Sequence, residues 1–263
     1  MMNALKLSLA GLLFCGFFLE ADVNAPQPGF VRYEDGHIGS VLGVPGNLVV
    51  RGANLAPAEA ASFSDLGALL LQNGRIVLQR KDGTFAGAYD SAGADPLLSI
   101  TGDFSTALAW LPSQGTLLHW TGSNFVSIEL GNALPQGVVT SVTAVAPDEV
   151  HVLVMQSDRA VLRCAVSLTT GLIESCDVLP GVTGPAFEHR GYVVFEDSNG
   201  LQVQNGAGIT YTFAPAASDL RFQSMSSGWL HLYSPKDGRH WALRLQPGNV
   251  SLSQLPATLG GGK

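Results

Sequence analysis

Short hydrophobic runs separated by polar, glycine-bearing turns recur along the whole chain at a regular interval. Gly36, Gly74, Gly115, Asp158, Gly200 and Gly238 each close one run and open another, at spacings of 38, 41, 43, 42 and 38 residues. Each interval holds four runs of strand length. The second unit reads Ala61 to Ser64, Ala68 to Leu71, Arg75 to Gln79 and Phe85 to Tyr89, joined by turns at Asp65-Leu66-Gly67, Gln72-Asn73-Gly74 and Lys81-Asp82-Gly83. Glycine with a polar neighbour suits tight antiparallel connections. Second runs such as Ala68 to Leu71 and Tyr192 to Phe195 are almost wholly apolar, as strands covered on both faces are. No stretch carries a sustained helical stripe.

A period near 40 with four strands per unit predicts an all-β fold, a β-propeller of about six blades, with five or seven as alternatives. The first unit is irregular. Phe30 to Glu34, Ile38 to Val44 and Asn47 to Arg51 give three strands, and the proline-rich residues 22–28 offer only loose pairing. The tail after Leu255 (PATLGGGK) is too poor in strand formers to lend a fourth. The expected organisation is a signal segment over 1–21, an extension over 22–28, one propeller domain over 29–256 and a flexible tail over 257–263. A single blade cannot bury both its faces, so the units share one ring.

The N-terminus changes the expected destination. Lys6 precedes a 13-residue apolar core, Leu7 to Leu19, with small residues at Ala21 and Ala25. A core this short predicts a cleaved signal, with the cut after Ala21 or Ala25, rather than a bilayer span of about 20 residues. Cys15 lies inside that core behind bulky Phe14, which argues against lipoprotein anchoring. The predicted compartment is periplasmic or extracellular. The remaining cysteines, Cys164 and Cys176, flank a hairpin centred on Thr169-Thr170-Gly171. Pairing about that turn sets them opposite each other, which predicts a disulfide.

Charge narrows the partners. The formal net charge is −7 with only 13% charged residues, so nucleic acid and anionic membranes are poor partners. The protein is expected to be a monomer with no cofactor and no metal.

Candidate chemistry is sparse. The repeated turns carry Asp158, Arg159, Asp197 and Asp237, residues that differ from unit to unit as a binding surface requires. Glu188, His189 and Arg190 form the most polar cluster and read as a solvated turn before a strand. Asp65, Asp103 and Asp148 precede second strands, where an aspartate serves the backbone of its own turn. His119-Trp120 and His240-Trp241 occupy similar places in the third and sixth units, without a third ligand at metal spacing. There is no Gly-x-Ser-x-Gly elbow, no HExxH and no phosphate loop.

The period and strand pattern over about residues 29 to 256 resemble secreted bacterial β-propeller repeat proteins. Ser234 to Trp241 (SPKDGRHW) looks like a degenerate Asp-box, the turn motif of sialidases, with its aspartate one place late. No functional residue carries over from that likeness. The expected function is an exported, non-catalytic module that binds a protein or glycan, with Asp158, Arg159, Glu188, His189, Arg190, Asp197 and Asp237 as candidate binding residues. The alternative is a hydrolase or lyase with its site at the central channel.

Overall fold

The computed structural model describes residues 25–90, 95–214, 219–226 and 228–257. The predicted signal segment and most of the tail lie outside the described residues. Within them, 23 strands form six antiparallel sheets and there is no helix. The first sheet is β1 (Gly29–Arg32), β2 (Ile38–Val44) and β3 (Asn47–Gly52). The second is β4 (Ala60–Phe63), β5 (Gly67–Gln72), β6 (Arg75–Arg80) and β7 (Phe85–Asp90). The third is β8 (Leu97–Ile100), β9 (Ala107–Leu111), β10 (Thr116–Trp120) and β11 (Phe125–Glu129). The fourth is β12 (Val138–Ala146), β13 (Glu149–Met155), β14 (Ala160–Ser167) and β15 (Ile173–Thr183). The fifth is β16 (Ala186–His189), β17 (Tyr192–Asp197), β18 (Gly200–Asn205) and β19 (Thr210–Phe213). The sixth is β20 (Arg221–Ser226), β21 (Trp229–Ser234), β22 (Arg239–Gln246) and β23 (Asn249–Leu255).

This is a six-bladed β-propeller with strands in chain order in every blade. The apolar second strands are its interior: Leu69, Leu70, Leu108, Ala109, Val152, Leu153 and Val194 have essentially no exposed surface. Each pair of adjacent blades shares a hydrophobic cluster of its own, so six clusters circle the ring. Burial, at about 25 cal/mol per Å² of apolar surface, therefore acts between blades as much as within them.

The first blade has three strands, as the sequence indicates. Gly36 lies between β1 and β2, whereas Gly74 lies between β5 and β6. The strand missing from the first blade is therefore the innermost one. The ring closes without it because β20 meets β4 directly: Gln223 Nε2 donates to the Ala61 carbonyl at 3.0 Å and Ser224 Oγ to the Phe63 carbonyl at 3.0 Å. The same device joins the fourth and fifth blades, where Thr140 and Thr143 hydroxyls donate to the Ala186 and Glu188 carbonyls at 2.8 and 2.7 Å. At these two junctions polar side chains on one inner strand satisfy carbonyls on the inner strand of the next blade.

The disulfide between Cys164 and Cys176 is present. The residues are register partners on β14 and β15, with Cα atoms 4.0 Å apart, and Gly171 takes φ 69° in the turn between them. Closing this short loop restricts the unfolded chain, by about 3 kcal/mol in the chain-entropy account.

Candidate functional site

The turns between second and third strands set up the candidate site. In the first blade Gly36 N–H donates to the Tyr33 carbonyl, and Asp35 Oδ1 accepts from His37 N–H. In the fourth blade Arg159 N–H donates to the Gln156 carbonyl, and Asp158 Oδ1 accepts from Ala160 N–H at 3.0 Å. Asp158 is thus the counterpart of Asp35, and the residue standing in the glycine place is Arg159, one position later than the spacing indicates. Its φ of 70° lies in the left-handed region, where Gly36, Gly74, Gly115 and Gly238 sit at 83°, 73°, 64° and 60°. A side chain there costs on the order of 1 kcal/mol, and such strain concentrates at functional positions.

The Arg159 side chain crosses Gly184. A Cβ at Gly184 would fall 2.5 Å from Arg159 Nη2, and Gly184 N–H donates to the Arg159 carbonyl at 2.8 Å. The guanidinium thereby borders a half-open cleft of about 490 Å³ shared by the fourth, fifth and sixth blades. Pro185, Leu220 and Phe222 give it an apolar floor, and Glu196, Asp197 and Asp219 line it with carboxylates. Asp197 is held by Asn199 N–H at 2.7 Å and Gln202 Nε2 at 3.0 Å. Asp219 is held by Ser234 Oγ at 2.6 Å and Lys236 N–H at 2.9 Å. These donors, the Asn199 amide foremost at Asp197 and the Ser234 hydroxyl at Asp219, keep both acids below the usual carboxylate range. They stay ionised near neutrality, which suits them to accept hydrogen bonds and not to act as general acids.

The other candidate residues do not join this cleft. Asp237 is paired with Arg239 Nη2 at 2.7 Å on an exposed turn of the sixth blade. Glu188 and His189 are not in a solvated turn: both are buried on β16, and Arg190 begins the following turn with φ 52°. The Glu188 carboxylate takes a two-pronged contact from Arg163, Nε to Oε2 and Nη2 to Oε1, both at 3.1 Å. His151 Nδ1 lies 3.1 Å from Glu188 Oε2, and its Nε2 lies 3.3 Å from Glu149. His189 is pushed down to about 4 by burial and by Arg190, against a hydrogen bond with the Ser226 backbone. Asp103 and Asp148 serve their own neighbourhoods, Asp103 through Ser105 and Asp148 through Thr169 N–H at 2.6 Å.

A second buried polar group lies where β20 reaches across to β4. His231 Nδ1 is 3.0 Å from Gln223 Oε1, and His231 Nε2 is 2.9 Å from His240 Nδ1. The Gln223 oxygen only accepts, so His231 donates to it and accepts from His240. Tyr33 packs on His240 with ring centroids 4.7 Å apart. Burial, then His240 and Arg32, hold His231 well below the ordinary histidine value; burial and Arg32 lower His240. Tyr33 is raised to about 12 by burial and by Asp35. Among the described residues no group of three or more His, Cys, Asp or Glu could hold a metal ion. No helix among them is long and apolar enough to cross a membrane.

No family model matches the sequence, and no curated protein matches it. Solved structures do share its shape. A chain of a nidogen/laminin complex aligns at 10% identity over 86% of this chain and 92% of its own, with a TM-score of 0.52. A catalytically inactive virginiamycin B lyase from Staphylococcus aureus, with quinupristin, aligns at 12% identity over 90% and 86%, with a TM-score of 0.48. The Cps50 (Swd1) β-propeller domain of Myceliophteria thermophila aligns at 11% identity over 87% and 85%, with a TM-score of 0.47. At such identities the likeness concerns the fold.

Proposed function

We propose that this protein is an exported, non-catalytic propeller that binds a protein segment or a glycan in the cleft between its fourth, fifth and sixth blades. The observation that carries the reading is Arg159: it holds the place of Gly36 at φ 70°, its guanidinium runs over Gly184, and the residue lines that cleft. Local stability favours glycine there, so a role for the guanidinium is the simplest reason for its presence. Ionised Asp197 and Asp219 offer acceptors to basic groups or sugar hydroxyls, Arg159 offers donors, and Phe222 offers an apolar face. A disulfide with Cys164 buried supports an oxidising compartment.

The test is affinity capture from the native exported fraction together with a glycan array, using the wild type and the Arg159→Gly and Asp197→Asn variants. The expected result is a retained protein or glycan that both variants lose. Retention that neither variant alters, or turnover of a glycan or ester library by the wild type, would overturn the reading.

A further inference from the structure

The missing inner strand has a second effect on the first blade. The inner end of the second blade is covered on that side by β1 and by the segment 53–58, not by a full sheet. Phe63, Ala68 and Leu70 are buried there, with Phe30, Ala53 and Leu55 packed against them. The cover is incomplete. A cavity of about 390 Å³ remains between the two blades, walled by Phe30, Ala53, Leu55, Phe63 and Ala68. The Phe30 and Phe63 rings, with centroids 5.5 Å apart and planes tilted by 41°, form one side. A pocket of this size is within the range of small-ligand sites, about 300 Å³ and upward.

The mouth of the cavity is cationic. The turn between β6 and β7 places Arg80, Lys81 and Asp82 on its rim. Asp82 is turned onto its own loop, where one oxygen accepts from Thr84 N–H at 2.9 Å and Thr84 Oγ1 at 2.6 Å. Arg80 lines the cavity, and its guanidinium lies over the Phe104 ring of the third blade, 5.5 Å from the centroid. Lys81 is exposed. Two cations against the one carboxylate of Asp82 leave this lining net positive in a chain of net charge −7, which favours an anionic occupant.

We infer that this cavity binds a small amphiphile with one anionic group: the apolar tail fills the space between Phe30, Leu55 and Phe63, and the anion meets Arg80 and Lys81. The inference is independent of the cleft described above, which lies between other blades and is lined by carboxylates.

Decanoate below its micelle concentration is the probe, titrated calorimetrically into the full folded protein beside decanol and decyltrimethylammonium. Decanoate is expected to bind saturably with one-to-one stoichiometry and at least about fivefold more tightly than either comparator, since charge complementarity sets the preference. Arg80→Glu with Lys81→Glu removes that preference. Both positions are exposed, so folding is retained, as a thermal melt verifies. Ala53→Phe fills the cavity and abolishes binding. No saturable binding of decanoate, equal binding of the three amphiphiles, or binding unchanged in the charge-reversed protein would each overturn the assignment.

Discussion

Mild acid should loosen this ring, and the structure sets both the pH window and the size of the effect. The chain of donors from His240 to His231, Gln223 and the Ala61 carbonyl holds only while the His231 imidazole is neutral. A proton on His231 Nε2 would point N–H against N–H. His189 is buried with its Nε2 unpartnered. In the unfolded chain each of these histidines takes up a proton near pH 6.5. In the folded protein His189 does so only near pH 4, and His231 and His240 are lowered as well. Below pH 6.5 the unfolded state therefore binds more protons, and stability falls with falling pH by up to about 1.4 kcal/mol per unit for each such histidine. For His189 the span from 6.5 to about 4 amounts to about 3 kcal/mol by pH 4. That is a large share of a typical total of about 5–15 kcal/mol. The lowered aspartates, Asp197 and Asp219 among them, act in the same direction but only as pH falls below their unfolded value of about 3.9, outside this window. Urea unfolding followed by tryptophan fluorescence at pH 7.5, 6.5, 5.5 and 4.5 measures the slope. His189→Gln should reduce it by up to about 1.4 kcal/mol per pH unit. A wild-type stability at pH 4.5 within about 1 kcal/mol of that at pH 7.5 would refute the argument.

Three further outcomes are expected. Thiol counting on unfolded, unreduced protein should find neither Cys164 nor Cys176 free, and Cys164→Ser with Cys176→Ser should cost about 3 kcal/mol in denaturant unfolding. Arg159→Gly should raise stability by about 1 kcal/mol through relief of its left-handed backbone, while weakening partner capture; a lower Tm would contradict the strain assignment. Glu188→Leu should cost about 3 kcal/mol because it leaves the Arg163 guanidinium without its carboxylate, and Glu188→Leu with Arg163→Leu should cost less than the single change. Equal or greater loss in the double variant would show that the pair itself stabilises the fold.

The architecture was legible because a propeller repeats its turn chemistry. Gly36, Gly74, Gly115, Gly200 and Gly238 mark the ring directly, and the deficit of one strand before Phe30 is visible as a gap in the same rhythm. The cysteine pairing was legible for a related reason, since Gly171 fixes a turn and the turn fixes a register. The cleft was only half legible. Arg159 and Asp197 stand in marked turns, but Asp219 and Phe222 come from the approach to an inner strand and carry no turn signature. Asp158 drew attention as the glycine substitute because spacing alone locates a turn to within a residue. Glu188 read as solvated because its partners, Arg163 and His151, belong to another blade. His231 carries a signal of its own in the sequence. With Tyr233 opposite His240, the residue two places earlier lies on the same face of the sheet, diagonal to His240.

The missing inner strand also bears on where this polypeptide could be cut. Tyr33 on the first blade donates its hydroxyl to the Pro256 carbonyl beyond the last strand, and Ser226 donates to the Pro28 carbonyl. The seam between the sixth and first blades thus holds the two extremities of the ring side by side, and among the described residues every strand pairs within its own blade. Each described blade is built from strands consecutive in the chain, so rotating the order of the blades divides none of them. A circular permutant that joins Pro28 to Pro256 through a short linker and opens at Gly131–Gly137, between the third and fourth blades, would keep all six blades whole.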